Sequence, residues 1–180
     1  MNKEHFWMLI EKAREHVPDT RDGSNIADRA SALLARRSVQ EITAAQQTLW
    51  DLMADSYQNR LWAAAYVVNG GCSDDGFDYF RGWLIAQGRT TFKRVLAAPD
   101  TLAELSHVRT AAAEGTDLDC EDMLSIVWNA HQKTTGQELP ADAFTIRYPD
   151  LDLDPAWDFH FDDREEMARR LPALTALYSY

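Results

Sequence analysis

Three carboxylates and a thiol stand together in Asn69-Gly-Gly-Cys-Ser-Asp-Asp-Gly-Phe-Asp-Tyr-Phe-Arg-Gly-Trp-Leu-Ile-Ala-Gln-Gly88. The stretch follows directly on Leu61-Trp-Ala-Ala-Ala-Tyr-Val-Val68, the longest uninterrupted apolar run in the chain. Charge at one end of what periodicity reads as a buried helical hairpin needs a reason. Ser73 reads as the cap of a helix running to about Gln87. At about 100° per residue, Asp74, Asp78, Arg81 and Ile85 fall in one stripe, Phe77, Phe80 and Leu84 in a second, and Tyr79 with Trp83 opposite the acids.

Two kinds of chemistry suit that arrangement. Asp74, Asp75 and Asp78 offer oxygen ligands to a hard divalent cation, Asp74 and Asp78 being the metal candidates, and a carboxylate between apolar walls acts as a general base once its pKa is raised. With Arg81 they form the candidate catalytic set. Gly76 and Gly82 each cost about 1 kcal/mol in a helix interior, so a second backbone or a ligand is expected to approach there. The structural explanation is equally concrete. Negative charge in a first helical turn complements the dipole by about 0.3–1 kcal/mol, and Asp78 can pair with Arg81 at i,i+3.

Cys72 stands just before a helix N-terminus, where backbone N–H groups favour a thiolate, but Asp74 and Asp75 oppose that effect. A small buried residue at a tight turn is the better reading, and Cys120, beside Asp119, Glu121 and Asp122, reads the same way. The five histidines show no zinc-ligand spacing. Asp158, His160 and Asp162 share one face if their segment is extended, which would make a metal site, though a solvated strand face explains the pattern more cheaply. Asp150, Asp152 and Asp154 imitate a calcium loop, yet Pro155 replaces its glycine and Phe161 its bidentate glutamate, so that reading fails. Neither a phosphate-binding glycine loop nor a Gly-x-Ser-x-Gly elbow occurs.

The elements that must position these groups are helices. Phe6, Leu9, Ile10, Ala13 and Val17 mark the first, ended by Pro18 and Gly23; Ser24 or Asn25 caps the second; Ser38 with Glu41 makes a capping box for the third. The fourth spans about Asn59 to Asn69, with Gly70 and Gly71 as stops. A sixth is expected over Thr90 to Ala98, a seventh capped by Asp100 or Thr101, and an eighth from about Asp119 to Thr135. The ring-bearing residues Phe6, Trp7, Trp50, Trp62, Tyr66, Phe77, Phe80, Trp83, Trp128 and Trp157 lie mostly at apolar helical positions and read as core.

Beyond Glu138 the texture changes. Pro140, Pro149 and Pro155 break helices, while Asp150-Leu-Asp-Leu-Asp154 and Trp157-Asp-Phe-His-Phe-Asp162 alternate like extended chain, with Trp157, Phe159 and Phe161 on one side. A flap over the bundle and a last helix from about Asp163 to Tyr178, kinked at Pro172, are expected. The fold class is thus all-α: a multi-helix bundle with a buried central hairpin, an irregular acidic flap and a final helix. One domain is expected over residues 1–180, with a helical core over 1–139 and the acidic segment over 140–180.

The formal net charge is −11, which argues against nucleic acid and anionic membranes as direct partners. Residues 140–166 hold nine acids and two bases, a local balance of −7, so a protein with a basic face would be drawn there. The N-terminal apolar run, Phe6 to Ile10, is too short for a signal peptide, and two cysteines without paired spacing suit a reducing cytoplasm.

Phe6-Trp7 with Leu9-Ile10, Leu61-Trp62-Ala63-Ala64-Ala65-Tyr66, the run from Asn69 to Ile85 and the Thr135-Gly-Gln-Glu-Leu-Pro140 turn together resemble a bacterial family, domain of unknown function 4240. The resemblance covers roughly the first three quarters of the chain. It implies a shared fold and brings no assigned reaction. Two function classes follow. One is a cytoplasmic, non-enzymatic interaction module with an acidic surface. The other is a small enzyme or a small-molecule or metal binder using Asp74, Asp75, Asp78 and Arg81. Cys72, Ser73, Trp83, Trp157, Asp158 and His160 are the further binding candidates, and a divalent cation is the one cofactor the acids could take.

Overall fold

The computed structural model describes residues 1–147 and 154–179. Helix α1, Lys3–Arg14, starts at Asn2, whose side chain accepts the His5 N–H, and buries Phe6, Trp7, Leu9, Ile10 and Ala13. Helix α2, Gly23–Leu34, is capped by Asp22 and not by Ser24 or Asn25. The first helical residue is Gly23, where a Cβ would come within 2.7 Å of the Cys120 Cβ. Helix α3, Val39–Asp55, carries the expected capping box: Ser38 Oγ accepts the Glu41 N–H, and the Glu41 carboxylate accepts the Ser38 N–H. Helix α4, Asn59–Val68, ends at Asn69, and Gly70 and Gly71 then take φ of +63° and +133°.

Helix α5, Asp74–Ala86, is the hub. Every residue from Arg81 to Gly88 is buried, and the helix touches α1, α2, α3, α4 and a 3-10 turn at Glu121–Ser125. Beyond its solvated first turn the helix is covered nearly all round and so must be apolar there, which explains the density of Phe77, Phe80, Trp83, Leu84 and Ile85. Helix α6, Arg89–Ala97, has no side-chain cap of its own. Instead the Glu11 carboxylate of α1 accepts the Arg89 N–H at 3.0 Å.

Three expectations about element boundaries are corrected. The seventh helix is divided into a 3-10 turn, Pro99–Glu104, and α7, Ser106–Glu114; the eighth into the Glu121–Ser125 turn and α8, Ile126–Thr135. Pro172 breaks the last helix where a kink was expected. It drives Leu171 to φ −127°, ψ 56°, separating α9, Arg164–Arg170, from α10, Pro172–Leu177. Asp100 caps neither of its neighbours: its carboxylate accepts the Ala173 and Leu174 N–H groups at 3.1 and 2.9 Å, so it caps α10.

Among the described residues there is no strand. The Trp157 to Asp162 segment instead leaves a 3-10 turn, Pro155–Trp157, through bends, yet its alternation survives: Trp157, Phe159 and Phe161 are half-buried while Asp158, His160 and Asp162 are exposed. Most of the other alternating stretch, residues 150–153, lies outside the described residues. Trp128 departs from the core expectation at 41% exposure.

Candidate functional site

Ser73 Oγ accepts the Gly76 N–H at 3.1 Å and so starts α5. Asp74 and Asp75 project from that first turn into solvent, where they complement the helix dipole. Asp78 and Arg81 form the expected i,i+3 pair, but Arg81 is only 3% exposed. Its guanidinium donates to the Asp78 carboxylate, to the Met53 carbonyl at 2.5 Å and to the Phe77 carbonyl at 3.3 Å. It also lies 4.9 Å from the Tyr57 ring centre and 4.7 Å from that of Phe77. Trp62 stacks on Phe77 at 4.8 Å, and its indole N–H donates to the Cys72 carbonyl. The stripe therefore divides: its first turn is solvated, and its second is an arginine sealed among aromatic rings.

The thiols are quiet. Burial pushes Cys72 up to about 11, against the pull of Trp62 and Arg81, and pushes Cys120 up to about 12. Both are protonated at neutral pH and poorly nucleophilic. Trp83 is fully buried, with its indole N–H donating to the Arg21 carbonyl at 3.2 Å, so it has no face for a ligand. Trp157 lies 5.1 Å from the Arg170 guanidinium, and the Tyr66 hydroxyl donates to Asp162 at 2.6 Å. The flap rings thus turn inward, leaving Asp158 and His160 outside. Among the described residues no three His, Cys, Asp or Glu side chains are grouped so as to hold a metal ion.

The glycine expectation is met at one position and corrected at the other. A Cβ on Gly82 would overlap the Cys120 carbonyl oxygen, whereas one on Gly76 would meet its own cap, Ser73 Oγ, at 3.3 Å and Cys72 Sγ at 3.7 Å, and no second backbone. The segment crossing Gly82 is clamped further. Cys120 N–H donates to the Tyr79 carbonyl at 3.0 Å, and Asn69 holds both backbone groups of Leu118, accepting its N–H at 2.9 Å and donating to its carbonyl at 3.3 Å.

That clamp builds a groove which the sequence reading missed. Asp19, Arg21 and Asp22 face Glu114, Asp117 and Asp119 across a cavity of about 290 Å³. Arg21 grips Asp19 at 2.7 Å and reaches Glu114 at 3.4 Å, and its hydrogen bonds pull Asp19 down to about 2. Asp119 is raised instead, by burial and by its acidic neighbours Asp117, Asp22 and Glu121. The signal in the sequence is two acid-bearing turns, 19–22 and 117–122, almost a hundred residues apart; nothing local says that they meet.

No helix of the described residues is long and apolar enough to cross a membrane. Fold and site define an all-α domain that packs an arginine against aromatic rings at its centre and lays an acid-rimmed loop across its hub helix. The chain belongs to the family of proteins of unknown function DUF4240, whose model matches residues 1–133. No curated protein and no solved structure matches it.

Proposed function

We propose that this chain is a non-enzymatic binding module of the cytoplasm whose acidic surface receives a protein with a basic face. The observation that carries the reading is the groove between the α1–α2 loop and the loop after α7. Five carboxylates rim it against one guanidinium, and Asp22, Asp117 and Asp119 make no salt bridge among the described residues. Crowded carboxylates repel, and a cationic side chain entering the groove relieves that repulsion; steered encounter adds to its on-rate. Asp158, exposed on the flap, carries the same sign of charge. Two free thiols fit a reducing compartment. The alternative, an enzyme or metal binder on Asp74, Asp75, Asp78 and Arg81, draws less support from a guanidinium already bonded to two backbone carbonyls and a carboxylate.

Affinity capture from lysate at low and high salt, with the retained proteins identified, tests the reading. Expected is a basic protein held at low salt, released at high salt, and not retained by the Asp22→Asn, Asp117→Asn, Asp119→Asn variant. Asparagine keeps the α2 cap, so loss of capture would not reflect a lost helix start. Equal capture by wild type and variant would remove the groove from consideration.

A further inference from the structure

On the opposite sign of charge, the molecule holds a second cavity, of about 420 Å³, where α1 meets the end of α2 and the start of α3. Its apolar lining comes from Met1, Met8, Leu9 and Leu33; His5, Lys12 and Arg37 line it too. The spacing explains the grouping. His5 and Lys12 are seven residues apart on α1, hence on one face, with Met8 and Leu9 between them one turn from each. Leu33 and Arg37 are four apart where α2 ends.

Neither the Lys12 nor the Arg37 side chain has a hydrogen bond or salt bridge among the described residues. The one acid at the cavity, Glu41, has a carboxylate oxygen engaged by the Ser38 N–H at 3.1 Å and hydroxyl at 2.7 Å. Two cations without a hydrogen bond or salt bridge are thus gathered over an apolar floor, beside a Glu41 carboxylate that Arg37 and the N-terminal ammonium attract at longer range, in a chain of net charge −11. Among the described residues Met8 is the most exposed large apolar side chain, at 62%. The volume lies in the range of small-ligand sites, about 300–1,000 Å³, and apolar walls with a few convergent polar groups are their usual makeup.

We propose that this cavity binds a small amphipathic anion. A carboxylate or phosphate head is held by Lys12 and Arg37 with an imidazole nitrogen of His5 beside it, and a short hydrocarbon tail lies on Met8, Leu9 and Leu33. This site is independent of the acidic groove, and its failure would leave the protein-binding reading untouched.

Calorimetric titration at low ionic strength with octanoate, octyl phosphate, inorganic phosphate and octylamine tests it. Expected is saturable one-to-one binding of octanoate or octyl phosphate, the stronger of the two identifying the head group. The Lys12→Gln, Arg37→Gln variant should bind at least about tenfold more weakly, since a hydrogen bond to a charged group is worth about 1.5–3 kcal/mol and 1.4 kcal/mol is tenfold. Met8→Asp, which removes floor and adds repulsion, should abolish binding. All three positions are exposed, so melting temperatures matching wild type verify the fold. Inorganic phosphate binding as tightly would mean attraction of any anion, and octylamine binding as tightly would mean a bare apolar patch; either overturns the proposal. So does unchanged affinity in the double variant, or no saturable binding.

Discussion

Arg81 donates to acceptors on two helices, Met53 of α3 and Phe77 and Asp78 of its own α5, while two aromatic rings cover its faces. Replacing it with lysine keeps the charge but not the fork of donors, so Arg81→Lys should destabilise by about 1–3 kcal/mol in urea titrations. Asp78→Asn should cost a similar amount, whereas Asp74→Asn, one turn earlier and in solvent, should stay within about 0.5 kcal/mol. Equal effects at 74 and 78 would mean that Arg81 does not depend on its carboxylate. The pair itself was legible from i,i+3 spacing. Its depth was not, because the Met53 carbonyl and the Tyr57 ring arrive from a separate helix and the turn after it. The same limit applies to Trp83, whose helical position announced an aromatic side chain but not that the Arg21 carbonyl would close over its indole.

The crossing of α5 by the segment around Cys120 offers a separable test of element packing. A Cβ on Gly23 meets the Cys120 side chain, at 2.7 Å from Cβ and 2.8 Å from Sγ, while a Cβ on Gly82 meets the Cys120 backbone. Gly23→Ala and Gly82→Ala should each destabilise by about 1–3 kcal/mol through overpacking. Adding Cys120→Gly should rescue the first and not the second. Rescue of both, or of neither, in thermal melts would show that the two helices do not meet this segment as described. Caps at Ser38 and Ser73 were readable because donor and acceptor sit within three residues. Asp100 was not, since the groups it caps lie more than seventy residues on, and the 3-10 turns at Pro99–Glu104 and Glu121–Ser125 differ from helix only in a tighter turn that apolar periodicity does not resolve.

Charge is sorted across the molecule as a whole: carboxylates crowd the groove between residues 19–22 and 114–119, and cations without a salt bridge gather along one face of α1. Asp119, exposed but partly shielded from water, has its pKa raised by that partial desolvation and by neighbouring acids. Its folded form binds a proton more readily than its unfolded form, so stability from this group is present at low pH and declines as pH rises through the raised value. Neutralising the crowd with Asp117→Asn, Asp119→Asn should therefore raise stability at pH 7 and low salt, by about 1 kcal/mol or less for exposed charges. Added salt should stabilise wild type more than this variant, as melting temperatures at two ionic strengths would report; identical salt responses would refute mutual repulsion there. The acidic total was plain in the composition, but the meeting of two distant loops was not. Sequence reasoning placed the basic partner on residues 140–166, where the aromatic rings prove to be turned inward. The cap that Asp100 provides has one more consequence, in the order of events during synthesis. On the ribosome its carboxylate emerges 73 residues ahead of the first N–H it will accept, and a helix of six residues is too short to persist alone. The middle of the chain thus waits with an open clasp, and translation must run through residues 172–177 before that clasp can shut.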